Sequence, residues 1–365
     1  MRIFFLLSML VPSLLCAEAP SPDAPVFSPE IKADHTVTFR LRAPNAKEVG
    51  LRAQWSKEKL ALTKGGDGVW SLTTPVAPGV WEYGFNLDGL GIVDPGNPAI
   101  KPQREPNTSI LHIPGSPANV WDFQEVPHGA VTKHDYLSKA LHFPRSCQVY
   151  TPPGYAQSQT VYPLLVLQHG SSDNYQTWTT HGKAHWILDN LIASGKALPM
   201  IVLMIDGHPH GMVKWEGGPE QRDAAMEAFR HELLDDAIPL VEANYRVAKD
   251  PAQRALAGLS MGGMQTLTVG LTGGYPFAYL GAFSAAPPTE TYLAPILDHV
   301  EEANAKLKLL WIAIGKDDFL HDRNQEFITK FKEKKLRHEF IVTAGDHSWP
   351  IWRNYLAEFA PKLFR

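Results

Sequence analysis

Three residue types in one chain order carry the chemistry legible in this sequence: a serine between glycines, then an aspartate, then a histidine. Gly258-Leu259-Ser260-Met261-Gly262 is a G-x-S-x-G pentapeptide. It follows the apolar run Arg254-Ala255-Leu256-Ala257 and precedes residues 263–269, whose composition suits a helix. Strand, sharp turn, helix is the setting in which a serine Oγ stands clear of its own backbone. Flanking glycines remove the side chains that would collide in so tight a turn. The serine also falls at a helix N-terminus, where backbone N–H groups hold a developing oxyanion. Downstream, Trp311-Ile312-Ala313-Ile314 runs into Gly315-Lys316-Asp317-Asp318, and the next apolar stretch runs into Gly345-Asp346-His347-Ser348-Trp349. His347 would take the Ser260 proton and return it to a leaving alcohol. An aspartate would fix the ring tautomer and stabilise the imidazolium. Asp317 and Asp318 compete for that role. Asp346 is a poor candidate, because a neighbour on the same turn cannot easily reach back to Nδ1.

Acyl-transfer chemistry needs two N–H donors for the oxyanion. Met261, following the nucleophile, supplies one. The second is expected from the loop Gln168-His169-Gly170-Ser171-Ser172, where Gly170 lets the backbone approach the substrate, and it is placed at Ser171. His169 reads as a scaffold residue or a lining of the cleft. Asp206-Gly207-His208-Pro209-His210 has no zinc-ligand spacing and no third ligand, so His208 is assigned to the cleft wall and no metal or cofactor is expected. Trp178, Trp215 and Trp349 lie in predicted rim loops, either as packing or as a platform for an aromatic acyl group or a sugar ring.

The elements that must position these groups divide near residue 120. Residues 25–115 alternate with period two, as in Thr36-Val37-Thr38-Phe39-Arg40-Leu41-Arg42, between Pro-, Gly- and Asn-rich turns. That pattern predicts a small β-sandwich. Residues 101–129 are rich in Pro, Asn, Gln and Ser, and the linker proper is set at 116–127. From 128 to 365 continuous apolar strands, such as Pro163-Leu164-Leu165-Val166-Leu167-Gln168 and Met200-Ile201-Val202-Leu203-Met204-Ile205, alternate with helical stretches at 183–194 and 224–244. The fold class is therefore α/β, an α/β-hydrolase fold with a mostly parallel sheet covered by helices on both faces. In such sheets function collects at the carboxyl ends of the strands, and the chain order Ser, acid, His is the one this fold uses.

Of 365 residues, 44% are hydrophobic and 20% charged, the balance of a globular domain, and the net charge of −4 excludes a basic footprint for nucleic acid. Met1-Arg2, an apolar core from Ile3 to Leu15 and small residues at Ala17-Glu18-Ala19 read as a signal peptide over 1–19. The implied location is secreted or periplasmic, with no membrane span. Leu15 is bulky where a lipoprotein site needs a small residue, which argues against anchoring at Cys16. Cys147 reads as a small buried hydrophobe.

From about residue 128 onward the chain resembles the esterases of the enterochelin-esterase and carbohydrate-esterase family 1 group, which includes feruloyl and acetyl xylan esterases. The matching segments include Val149-Tyr150-Thr151-Pro152-Pro153-Gly154-Tyr155, His169-Gly170, Asn244-Tyr245-Arg246-Val247, Ala257-Gly258-Leu259-Ser260-Met261-Gly262-Gly263 and Gly345-Asp346-His347. The resemblance implies a serine esterase with a Ser-His-Asp triad. In this group the acid is the fourth residue of a Gly-x-x-Asp turn, which maps to Asp318. The implied substrate is a carbohydrate-linked ester, feruloyl first and acetyl second. Alternatives are a siderophore esterase, a mycolyl-type acyltransferase and a non-catalytic carbohydrate-binding protein. Residues 25–115 are similar to the Ig-like early-set domain related to family 48 carbohydrate-binding modules, through Phe39-Arg40-Leu41-Arg42-Ala43-Pro44, Trp81-Glu82-Tyr83 and Val93-Asp94-Pro95. Every expected catalytic group lies beyond residue 160, so a chain beginning near Val126 is expected to retain cleavage of a small nitrophenyl ester.

Overall fold

A computed structural model describes residues 25–209, 218–272, 274 and 276–365. The expected signal peptide at 1–19 with Cys16, and the cleft residues His210 and Trp215, lie outside the described residues.

The larger half is built on an eight-stranded sheet. Its strands are β1 (Ala130–Ser138), β2 (Phe143–Thr151), β3 (Leu164–Gln168), β4 (Ile201–Ile205), β5 (Arg254–Leu259), β6 (Tyr279–Phe283), β7 (Leu309–Gly315) and β8 (Glu339–Thr343). Their spatial order is β1-β2-β4-β3-β5-β6-β7-β8. Every pair from β4 to β8 is parallel, while β1–β2 and β2–β4 are antiparallel. The apolar runs follow from burial on both faces. Successive side chains of a strand point to opposite sides. Val166, Leu203 and Leu256 pack with Phe229 and Leu233 on one side. Leu165, Leu167, Val202 and Ala257 pack with Ile187, Trp352 and Phe359 on the other. Complete burial of such a side chain is worth about 1.5–3 kcal/mol. Cys147 sits in β2, fully buried, and burial pushes its thiol up to about 12.

Two features depart from the expected pattern. The β1–β2 hairpin carries no continuous apolar run, because most of β1 is exposed at the sheet edge. The helix expected over 224–244 runs from Pro219–His231 through a π-helical turn at Glu232–Ala237 into Ile238–Asn244. That turn carries two buried carboxylates that reach the hairpin: Glu232 receives Arg145 Nε at 2.6 Å, and Asp236 receives Ser138 Oγ at 2.7 Å. Its wider winding is the kind of irregularity proteins keep for such contacts.

The smaller half is a sandwich of antiparallel sheets. Thr36–Arg42 pairs with Val69–Pro75, and Gly79–Leu87 pairs with Val49–Ala53, Leu90–Ile92 and Ser109–Ile113. Val37, Phe39, Leu41, Tyr83, Phe85 and Ile113 fill its core. The last strand falls inside the stretch 101–129 that composition marks as linker. Its alternation is short, and Pro and Asn surround it.

The two halves are bolted together. The fully buried Arg353 donates to His181 O at 3.1 Å and also to Val80 O of the sandwich, and burial lowers its guanidinium to about 9. Asn190 Nδ2 donates to Val120 O and Asp122 O at 2.8 and 2.9 Å. Among the described residues no helix is long and apolar enough to cross a membrane.

Candidate active site

Ser260 caps the helix Met261–Leu271 directly after β5, with φ 53° and ψ −113°. That conformation is strained for a residue with a side chain, and surrounding structure must hold it. Ser260 N donates to Phe283 O at 2.8 Å, and Ala286 N donates to Ser260 O at 3.1 Å, tying the turn to the end of β6. The glycines are steric necessities. A Cβ on Gly258 would lie 2.6 Å from the Gly262 carbonyl, and one on Gly262 would lie 2.5 Å from His169 O.

His347 Nε2 lies 3.0 Å from Ser260 Oγ, and its Nδ1 lies 2.8 and 3.0 Å from the two oxygens of Asp318. Nδ1–H donating to the carboxylate leaves Nε2 free to accept from the hydroxyl, which is the proton path acyl transfer needs. Burial works against the charge on Asp318. Hydrogen bonds from His347 and from Leu320 N–H outweigh it and hold the carboxyl below its ordinary value. Of the two competing aspartates, the structure brings Asp318 to the histidine; Asp317 is exposed on the same turn. Asp346 accepts from its neighbour Ser348 instead.

The loop after β3 packs directly on the serine. A Cβ on Gly170 would lie 2.6 Å from Leu259 Cδ1 and 3.4 Å from Ser260 Cβ. Ser171 lines two cavities. The larger, of about 570 Å³, takes in Ser260, His347 and Trp349 from the hydrolase half and Gln54, Glu82 and Lys101 from the sandwich. The smaller, of about 50 Å³, includes Ser171, Met261 and His208. Both expected oxyanion donors line the smaller cavity, and Ser171 also lines the larger one with Ser260.

The remaining expected cleft residues separate. Trp349 faces the larger cavity but is almost wholly buried beneath it. His208 borders the smaller one, and burial lowers its imidazole to about 3, so it stays neutral. His169 and Trp178 are removed from the cleft wall by packing. His169 is 1% exposed, with Nδ1–H toward Gly170 O at 2.7 Å and Nε2 accepting Gly207 N–H at 2.8 Å. It is a brace between two loops. Trp178 donates Nε1–H to Gln168 O at 2.8 Å and meets Trp349 edge to face at 4.9 Å. It is core beneath the loop.

Several cleft residues escaped the reading of the sequence. Phe319 is 74% exposed and lies 4.4 Å from the His347 ring, while Trp352 meets that ring edge-on at 4.9 Å. Phe319 directly follows the acid and Trp352 lies one helical turn beyond Trp349, so adjacency was the available signal. Gln54, Glu82 and Lys101 had none, since no motif marks a side chain that reaches in from another domain. Among the described residues no cluster of three or more His, Cys, Asp or Glu is arranged to hold a metal.

The sequence model of the Esterase family matches residues 138–363. An endo-1,4-beta-xylanase/feruloyl esterase from Xylanibacter ruminicola is 30% identical over 349 residues, covering 92% of this chain and 46% of that protein. The chain spans about half or less of the length of the curated relatives it matches. A ferulic acid esterase structure is 26% identical with a TM-score of 0.56, covering 64% of this chain and 97% of that one. The enterobactin esterase of Shigella flexneri shares the fold across both halves, at 18% identity, a TM-score of 0.65 and coverage of 90% and 93%. The chain belongs to the Esterase family, with an α/β-hydrolase fold behind an N-terminal β-sandwich.

Proposed function

We propose that this chain is a secreted serine carboxylic-ester hydrolase that works through an acyl-enzyme on carbohydrate-linked esters, feruloyl before acetyl. Ser260 is the nucleophile, His347 the base and then the acid, and Asp318 the group that fixes the ring. Met261 N–H and Ser171 N–H stabilise the tetrahedral oxyanion. The observation that carries the reading is the unbroken relay of 3.0 and 2.8 Å from Ser260 through His347 to Asp318, opening on a cavity of about 570 Å³. That volume is in the range that encloses a small-molecule ligand, and it accommodates an aromatic acyl group with part of a sugar. Likeness to a xylanase/feruloyl esterase over 92% of the chain supports the choice of substrate.

The reaction follows from the placement. Ser260 Oγ attacks the ester carbonyl while His347 Nε2 takes its proton. The oxyanion collapses, His347 returns the proton to the sugar oxygen, and the alcohol leaves. Water then repeats the cycle on the acyl-serine. Ser260→Ala should lower kcat by about a million-fold, the usual effect of losing a triad nucleophile. Purified enzyme and variant assayed on methyl ferulate, nitrophenyl acetate and a catecholate siderophore test both halves of the proposal. Residual activity of a few per cent in the variant would move the nucleophile elsewhere, and preference for the siderophore would overturn the substrate.

A further inference from the structure

The loop that presents Ser171 beside Ser260 does not hold its shape alone. Ser172, the next residue, has φ 70°, in the left-handed region that a serine adopts only at a cost of order 1–3 kcal/mol. The contacts that hold it there come largely from the sandwich half. Arg104 N donates to Ser172 O at 2.8 Å, Gln103 pairs with Asp173 in an antiparallel bridge, and Thr177 Oγ1 donates to Pro102 O at 2.6 Å. Residues 101–104 therefore lie along the loop, joined to it by a single antiparallel bridge.

Two ion pairs of one lysine anchor that segment. Lys101 Nζ lies 3.2 Å from Asp173 Oδ1 and 3.0 Å from Glu82 Oε1. Lys101 is 5% exposed and Asp173 3%. A buried charge whose partner is removed is strongly unfavourable, so this contact constrains both sides. Lys101 also sits 5.9 Å over the Trp349 ring, and it lines the same cavity as Ser260 and Ser171.

We propose that Lys101 is a positioning residue for catalysis: through its ion pair with Asp173, the sandwich half fixes the loop that aims Ser171 N–H at the reacting carbonyl oxygen. The inference rests on the serine-esterase reading. A donor held out of place loses most of its value in the transition state and little in the ground state, because the oxyanion exists only in the former.

The test uses the full chain, nitrophenyl acetate as substrate, and an aryl trifluoromethyl ketone, whose serine adduct carries an oxyanion. Lys101→Met should lower kcat by about 10- to 100-fold, short of the loss of a whole donor. KM should stay within about twofold, and ketone affinity should fall in step with kcat. Asp173→Asn removes the same pair with almost no change of shape, and it carries both readouts if Lys101→Met does not fold. In the double variant the two losses should not add, as expected of residues acting through one contact. Variants that melt early but keep kcat and ketone affinity would make Lys101 a structural contact only and overturn the inference. Loss confined to KM would do the same. If the wild-type protein neither cleaves nitrophenyl acetate nor binds the ketone, the esterase reading fails and the inference falls with it. Wild-type activity with unaltered variants sinks the inference alone.

Discussion

The two walls of the cleft differ in how they are made. The hydrolase wall is a set of strand ends: Ser260 after β5, Asp318 after β7 and His347 after β8. Each group is aimed by its own short turn on a rigid sheet. The sandwich wall is a set of side chains, Gln54, Glu82 and Lys101, carried on separate segments of a second fold and held in place by docking. The first kind of wall repeats wherever the fold occurs. The second exists only where this sandwich meets this hydrolase.

The sharpest break between the walls should come from the acid. Asp318→Asn keeps the shape but presents an amide to His347 Nδ1, which favours the wrong tautomer. A loss of about 10⁴ in kcat is expected. Asp317→Asn, on the exposed neighbour, should change kcat by less than about threefold, as surface substitutions do. Steady-state rates on nitrophenyl acetate for the two variants decide it, and the reverse pattern would displace the acid by one residue.

Removal of the sandwich comes next in size. Because no expected catalytic group lies before residue 160, a chain beginning near Val126 was expected from sequence to keep small-ester cleavage. The contacts between the two halves argue for the opposite outcome. Such a chain lacks residues 101–104, which brace the Ser171 loop, and Val80 O, which accepts from the buried Arg353. We expect the truncated protein, where soluble, to lose at least about 100-fold in kcat on nitrophenyl acetate, the scale of one lost oxyanion donor. Full small-ester activity in a monomeric truncation would restore the view of the sandwich as a passive neighbour.

What the sequence made legible follows the same division. The parallel strands are buried on both faces and read as apolar runs, so their ends, and with them Ser260, Asp318 and His347, could be located. The β1–β2 hairpin could not, since its outer strand has no buried face to impose a pattern. For Trp178 and His169 the sequence left two roles open, packing or scaffold against cleft lining, because burial depends on what packs above them. Lys101 stayed hidden for a related reason. A lysine in a Pro- and Asn-rich stretch reads as solvent-exposed until Glu82 of its own half and Asp173 of the hydrolase half close on it.

The smallest expected effect is on stability rather than rate, and it tests whether the junction is as dry as its geometry indicates. His181 lies at the junction, with Nε2 3.3 Å from Glu82 Oε1 and the Lys101 and Arg353 cations nearby. Burial lowers it to about 3, and burial likewise lowers His208 to about 3. A histidine held neutral in the fold binds a proton in the unfolded chain below about pH 6.5 but not in the native state until far lower. The unfolded state then binds more protons, so stability falls as pH drops from about 6.5 toward 3, by about 1.4 kcal/mol per pH unit for each such group. Glu82 acts in the same direction but lower. Burial opposes its charge, yet the His181 N–H and the Lys101 ammonium depress it to about 2, so its contribution is present above about pH 4.5 and lost as pH falls through 2. Thermal melts at pH 7.5, 6.0 and 4.5 should show Tm dropping steeply across the series. His181→Gln, which cannot take up the proton, should flatten the drop between pH 6 and 4.5 while lowering Tm at pH 7.5. A flat Tm in the unaltered protein over that interval would mean that His181 titrates as freely in the fold as out of it, and that water reaches the seam between the two halves.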